Sequence, residues 1–68
     1  MTTGYRIEFS INDIEFSPEL NKERAIMLTN GLDNLGVNYT IRKGYGYGSV
    51  LDVRGNPLTK DQLRDDKG

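Results

Sequence analysis

The chain has no cysteine, no histidine and no tryptophan among its 68 residues, and only two prolines. Each absence removes a class of chemistry. Without cysteine there is no disulfide framework and no thiolate nucleophile or ligand. Without histidine there is no imidazole for a zinc site, for acid–base transfer or for a serine triad. No apolar run approaches the ~20 residues that span a bilayer, and Met1-Thr2-Thr3-Gly4 lacks the apolar core of a signal segment. The expected location is therefore the cytoplasm, away from membranes. Nine basic residues against ten acidic ones leave a net charge of -1, too little to draw the chain to nucleic acid by its overall field.

What is present fits one small α+β domain spanning residues 1–68, with residues 65–68 expected to fray as polar termini do. A core this small leaves self-association or a larger partner as the remaining source of stability. Tyr5, Ile7, Phe9 and Ile11 alternate with polar residues at the period of a half-buried strand. The apolar phase then slips, with Ile14 and Phe16 at even positions beyond Asn12-Asp13. Either a bulge or a tight turn explains the slip, and the shortness of the second arm favours a bulge or irregular extension.

Ser17-Pro18-Glu19 reads as a helix start: a side-chain acceptor, a residue that needs no donor, and a carboxylate at the positive end of the dipole. Ala25, Leu28, Leu32 and Leu35 then mark one apolar face, with Leu20 near its start and Gly36 supplying the left-handed stop. Gly31 is the weak point of that helix, explained most simply by close packing against the sheet. Ile26 and Met27 lie off the face and form an apolar patch if exposed.

Val37, Tyr39 and Ile41 mark a second strand, and Val50, Leu51 and Val53 a third. The expected order is β-α-β-β: one helix on a three-stranded sheet, with a parallel right-handed crossover if the first two strands are neighbours, and an antiparallel hairpin at the end. Thr59-Lys60-Asp61-Gln62 fits a capping box with Leu58 and Leu63 as its hydrophobic staple, so a short terminal helical turn follows over 60–66.

Composition departs most from the ordinary at Lys43-Gly44-Tyr45-Gly46-Tyr47-Gly48-Ser49. No Lys-Ser/Thr pair and no helix start follow it, so it is not a phosphate loop. In a hairpin the glycines permit the reversal, and at least one tyrosine falls near the tip. The charge distribution favours the same region. Residues 1–36 carry three basic residues against six acidic, whereas residues 37–60 carry Arg42, Lys43, Arg54 and Lys60 against Asp52 alone. Tyr39, Arg42, Lys43, Tyr45, Tyr47 and Arg54 are thus the candidate protein-binding residues, since tyrosine and arginine dominate binding hot spots. The same set could instead stack bases and contact phosphates of a single strand. No catalytic residue, metal or cofactor is expected; Glu19 and Glu23, one turn apart on the expected helix, read as a solvated face.

Over the span from Ala25 to Val53, "LDNLG", "VNYTIR" and "KGYGYGS" give the chain a texture that resembles the short accessory proteins encoded by phages and mobile elements. The resemblance implies a protein that acts by binding a host enzyme, defence complex or regulator, and it assigns no site residues. Together these observations point to a small non-enzymatic protein-binding module, an inhibitor or accessory factor, with single-stranded nucleic-acid binding as the alternative and a sheet edge as a route to a homodimer.

Overall fold

A computed structural model describes residues 2–47, 50–53 and 55–66, with the side chains of Thr2, Tyr47, Val50 and Leu51 outside that description. Five strands and two helices follow in the order β1 (Thr2–Ile11), β2 (Ile14–Phe16), β3 (Glu19–Leu20), α1 (Lys22–Leu35), β4 (Tyr39–Tyr47), β5 (Val50–Val53) and α2 (Lys60–Asp65). The chain is α+β as expected, with one long helix and the expected short C-terminal one, but the sheet is larger than three strands.

The difference begins at Asn12-Asp13. Both residues adopt left-handed backbone, φ 53° and 65°, and Ile11 pairs with Ile14 across them. Two central residues with positive φ make the hairpin turn whose twist matches the flanking strands, and asparagine and aspartate tolerate that region best after glycine. The phase slip is therefore a reversal, not the expected bulge. β2 lies against β1, and the chain runs on along the same edge: the Ile7 amide donates to the Pro18 carbonyl at 3.1 Å, and Glu19 and Leu20 pair with Arg6 and Tyr5.

That edge pairing displaces the helix start. α1 begins at Lys22, capped by Asn21, whose side chain accepts from the Arg24 amide at 2.9 Å. The local signal at Ser17-Pro18 loses because β1 offers these residues a ladder, and proline fits there by contributing only a carbonyl. The far end is as expected: Gly36 closes α1 at φ 73°, its amide directed at the carbonyls of Leu32 and Asp33.

An added reversal also changes the crossover. β4 runs antiparallel to β1, from Thr2↔Gly46 to Phe9↔Tyr39, instead of parallel to it. β5 then pairs antiparallel with β4, from Gly44↔Val53 to Tyr47↔Val50, which is the expected hairpin, its reversal expected somewhere between Ile41 and Leu51; Gly48 and Ser49 lie outside the described residues. The strand order is β2-β1-β4-β5, with β3 beside β2 on β1.

Both helices lie on the face carrying Tyr5, Ile7 and Ile41, which are buried with Ala25, Leu32 and Leu63. The buried face of α1 is Ala25, Thr29 and Leu32, with Leu28 half-buried and Leu35 left exposed. Thr29 was not among the expected positions; its hydroxyl donates to the Ile26 carbonyl at 3.0 Å, which removes the penalty for burying it. Ile26 packs against the core, leaving Met27 alone outside. Gly31 packs against nothing: a Cβ there would meet no atom within 4 Å. The capping box forms as expected, Gln62 amide to Thr59 hydroxyl at 3.1 Å and Thr59 amide to Gln62 Oε1 at 2.8 Å. Leu58 is anchored by its amide to the Ile41 carbonyl at 2.8 Å, and Leu63 drops into the core.

Candidate functional site

The sheet register separates the residues that the sequence grouped. Along β4, odd positions face the helices, as buried Ile41 shows, and even positions face away. Tyr39, Lys43 and Tyr45 therefore belong to the helix side and Arg42 to the open side. Arg42 Nε donates to Glu8 Oε1 at 2.7 Å across the strands, next to the Arg6–Glu19 pair at 2.7 Å. That second pair holds Glu19 in β3, so Glu19 and Glu23 do not share a helix face. Tyr47 takes part in the ladder opposite Val50, while its side chain and all of Arg54 lie outside the described residues.

Three of the named side chains are engaged internally. Lys43 Nζ lies 2.9 Å from Asp66 Oδ1, and that bond holds its pKa above the ordinary 10.5. The Tyr5 hydroxyl donates to the other Asp66 oxygen and Lys22 Nζ to the Asp66 main-chain carbonyl. Burial foremost, then the Asp66 bond, pushes the Tyr5 pKa well up. The chain end expected to fray is thus tied at Asp66 to β1, α1 and β4; Lys67 and Gly68 lie outside the described residues. At the other end of α1, Asp33 takes the Lys60 ammonium and the Tyr39 hydroxyl, which hold its carboxyl below the ordinary 3.8. Burial and the Asp33 bond raise Tyr39 in turn. Among the described side chains of the set, Tyr45 is the exposed one. It is 45% exposed, with the Lys43 ammonium 5.9 Å from its ring centroid, a cation–π distance.

The sequence grouping overlooked a different surface. Phe9 and Phe16 stack at 5.2 Å and 17° at the base of the β1–β2 arm, and Ile11 pairs with Ile14 at its tip. Cross-strand partners share a face, so four apolar side chains line the helix side of the arm. Ile14 is 59% exposed, and Ile11 and Phe16 are exposed too. On the same side of the sheet α1 leaves Met27 71% and Leu35 73% exposed. A groove of about 350 Å³ lies between α1 and β3, lined by Pro18, Leu20, Arg24, Met27 and Leu28. Glu8, Phe9, Ser10, Glu15, Phe16 and Ser17 line another of about 420 Å³ along the arm. The signal was present in the sequence as the phase slip at Asn12-Asp13, which exposes this face once it is read as a turn.

Among the described residues no three Asp or Glu carboxylates gather to hold a metal ion, and no helix is long and apolar enough to cross a membrane. No known protein family, curated protein or solved structure matches the chain.

Proposed function

We propose that this chain is a small non-enzymatic protein-binding module that acts on a larger protein as an inhibitor or accessory factor, in the manner of the phage and mobile-element proteins it resembles. The observation that supports this reading is the β1–β2 arm. It projects Phe16, stacked on half-buried Phe9, and two isoleucines that the fold leaves exposed, and contiguous exposed apolar surface marks binding sites. Phenylalanine and methionine are among the residues enriched in interface centres. Tyr45, beside Lys43, offers a second, smaller contact. Single-stranded nucleic-acid binding draws less support, because Arg42 and Lys43 already face Glu8 and Asp66.

Affinity capture from a cell lysate with the wild-type chain, Ile14→Lys and the double variant Tyr45→Ala/Tyr47→Ala tests the reading. A protein retained in stoichiometric amount by the wild type and lost from Ile14→Lys places the contact on the arm, whereas loss from the tyrosine variant alone moves it to the β4–β5 hairpin. Retention by none of the three, together with oligonucleotide binding that weakens as salt rises, would overturn it in favour of the nucleic-acid alternative.

A further inference from the structure

Gly31 weakens α1 by about 1 kcal/mol relative to alanine, and no contact among the described residues requires it. It is exposed, and a Cβ would meet open space. Its neighbours on the helix surface are Met27 four residues before and Leu35 four residues after, the two most exposed large apolar side chains among the described residues. Residues four apart lie one above another on a helix, so these three form a stripe about 12 Å long at 1.5 Å per residue, with bare backbone at its midpoint. The spacing is symmetric about that glycine.

We propose that a second copy of this chain covers the stripe: two α1 helices pack antiparallel about a two-fold axis through Gly31, with Met27 of each against Leu35 of the other. An isologous contact of this kind needs a self-complementary patch, and equal apolar residues at equal distances on either side of a glycine provide one. At the axis the missing side chains let the helix backbones approach closely. Each Leu35 reaches the neighbourhood of the other copy's Met27, where the groove of about 350 Å³ formed with Pro18, Leu20 and Leu28 receives it.

Charge selects the same arrangement. Arg24, on the stripe side of α1 and lining that groove, is exposed and pairs with no carboxylate among the described residues. The last turn of α1 carries no basic residue. Gly36 and Val37 amides occupy the Leu32 and Asp33 carbonyls, while no described hydrogen bond reaches those of Asn34 and Leu35. Antiparallel packing brings Arg24 of each copy to the negative end of the other helix, where a cation is stabilising. This interface is on the helix layer, touches the sheet edge only at Pro18 and Leu20, and leaves the tip of the β1–β2 arm free. A dimer built this way presents two arms, and the proposal does not depend on what those arms bind.

Sedimentation equilibrium of the wild-type chain over a concentration series should show a species of twice 7.7 kDa. Gly31→Ala separates this interface from any other role for the glycine. It should raise the melting temperature measured under dilute conditions yet weaken self-association by about tenfold or more, the equivalent of about 1.4 kcal/mol. The chain lacks cysteine, so Met27→Cys and Leu35→Cys can be mixed: the mixture should form a disulfide-linked dimer much faster than either variant alone. A chain that remains at 7.7 kDa up to about 1 mM overturns the proposal and leaves the stripe to a different protein. Unchanged self-association in Gly31→Ala, or cross-linking no faster in the mixture, overturns it equally.

Discussion

The corner around Asp66 and the arm around Ile14 use similar numbers of residues in opposite ways. At the corner, a buried tyrosine, two lysines and a carboxylate satisfy one another, and the chain end is fastened to three elements. On the arm, four apolar side chains are assembled on one face, Phe9 half-buried against the core and Ile11, Ile14 and Phe16 exposed. A 68-residue chain has little apolar surface to spare, so spending it outside the core is informative. The corner is where the fold is held; the arm and the outer stripe of α1 are the surfaces proposed above for binding. Substitutions that act on stability at one and on association at the other break the comparison if they behave alike.

The largest effect belongs to Leu63. It is fully buried beneath the capping box, and Leu63→Ala should cost about 2–5 kcal/mol, the range for deleting a buried leucine side chain. Against a typical total of about 5–15 kcal/mol, that is a large fraction of all the stability available. Ile14→Ala removes more exposed apolar surface yet should change stability by no more than about 0.5 kcal/mol. Urea midpoints at unchanged slope compare the two directly. Equal losses would show that the arm is part of the core and not a spare surface.

Much of this division was legible in the sequence, and the parts that were not have definite causes. The capping box at Thr59, the stop at Gly36 and the alternation from Tyr5 to Ile11 are local signals that no distant contact opposes, and each appears where expected. The start at Ser17-Pro18 was equally clear locally but was overridden, because the open edge of β1 captures residues 18–20 first. The phase slip at Asn12-Asp13 was visible, and its outcome turned on two left-handed residues that composition permits without requiring. From that one turn follow the antiparallel β1–β4 pairing, the extra strands and the exposed face of the arm. The candidate residues on β4 were grouped by sequence proximity, but alternation in a strand sends Arg42 to the opposite face from Lys43 and Tyr45. Asp66 was read as tail because nothing in the sequence shows that Tyr5 and Lys43 are adjacent across the ladder.

Tyr5→Phe acts within the corner and sharpens what holds it. The ring still fills its place, but Asp66 loses one of its donors, which should cost about 1–3 kcal/mol. The sign of the pH effect follows from both partners. Tyr5 and Lys43 have folded pKa values raised above the ordinary 10.0 and 10.5, so the unfolded chain releases these protons first. Their contribution is complete below about pH 10 and is lost as pH rises further. Tyr5→Phe removes one of the two, and its alkaline unfolding should be less steep in pH than that of the wild type. Identical slopes would mean that the hydroxyl carries no stability.

The smallest effect tests the border between the two regions. Asp33 lies in the last turn of α1, two residues before exposed Leu35, and receives Lys60 from α2 and Tyr39 from β4. If these contacts carry stability, the end of α1 belongs to the fastened part of the molecule even though its outer stripe is free. The carboxyl is held below the ordinary 3.8 by Lys60 first and Tyr39 second. Its contribution is therefore present above that value and disappears as pH falls through the folded value, where the folded chain also takes up the proton. Asp33→Asn keeps the shape and an acceptor for Tyr39 but discards the charge. It should lower the thermal midpoint slightly at neutral pH, and the gap between the two should narrow as pH falls below the ordinary 3.8 and the wild type becomes protonated. A gap that stays constant with pH would assign the loss to packing and not to the ion pair, and α1 would then end in the free region.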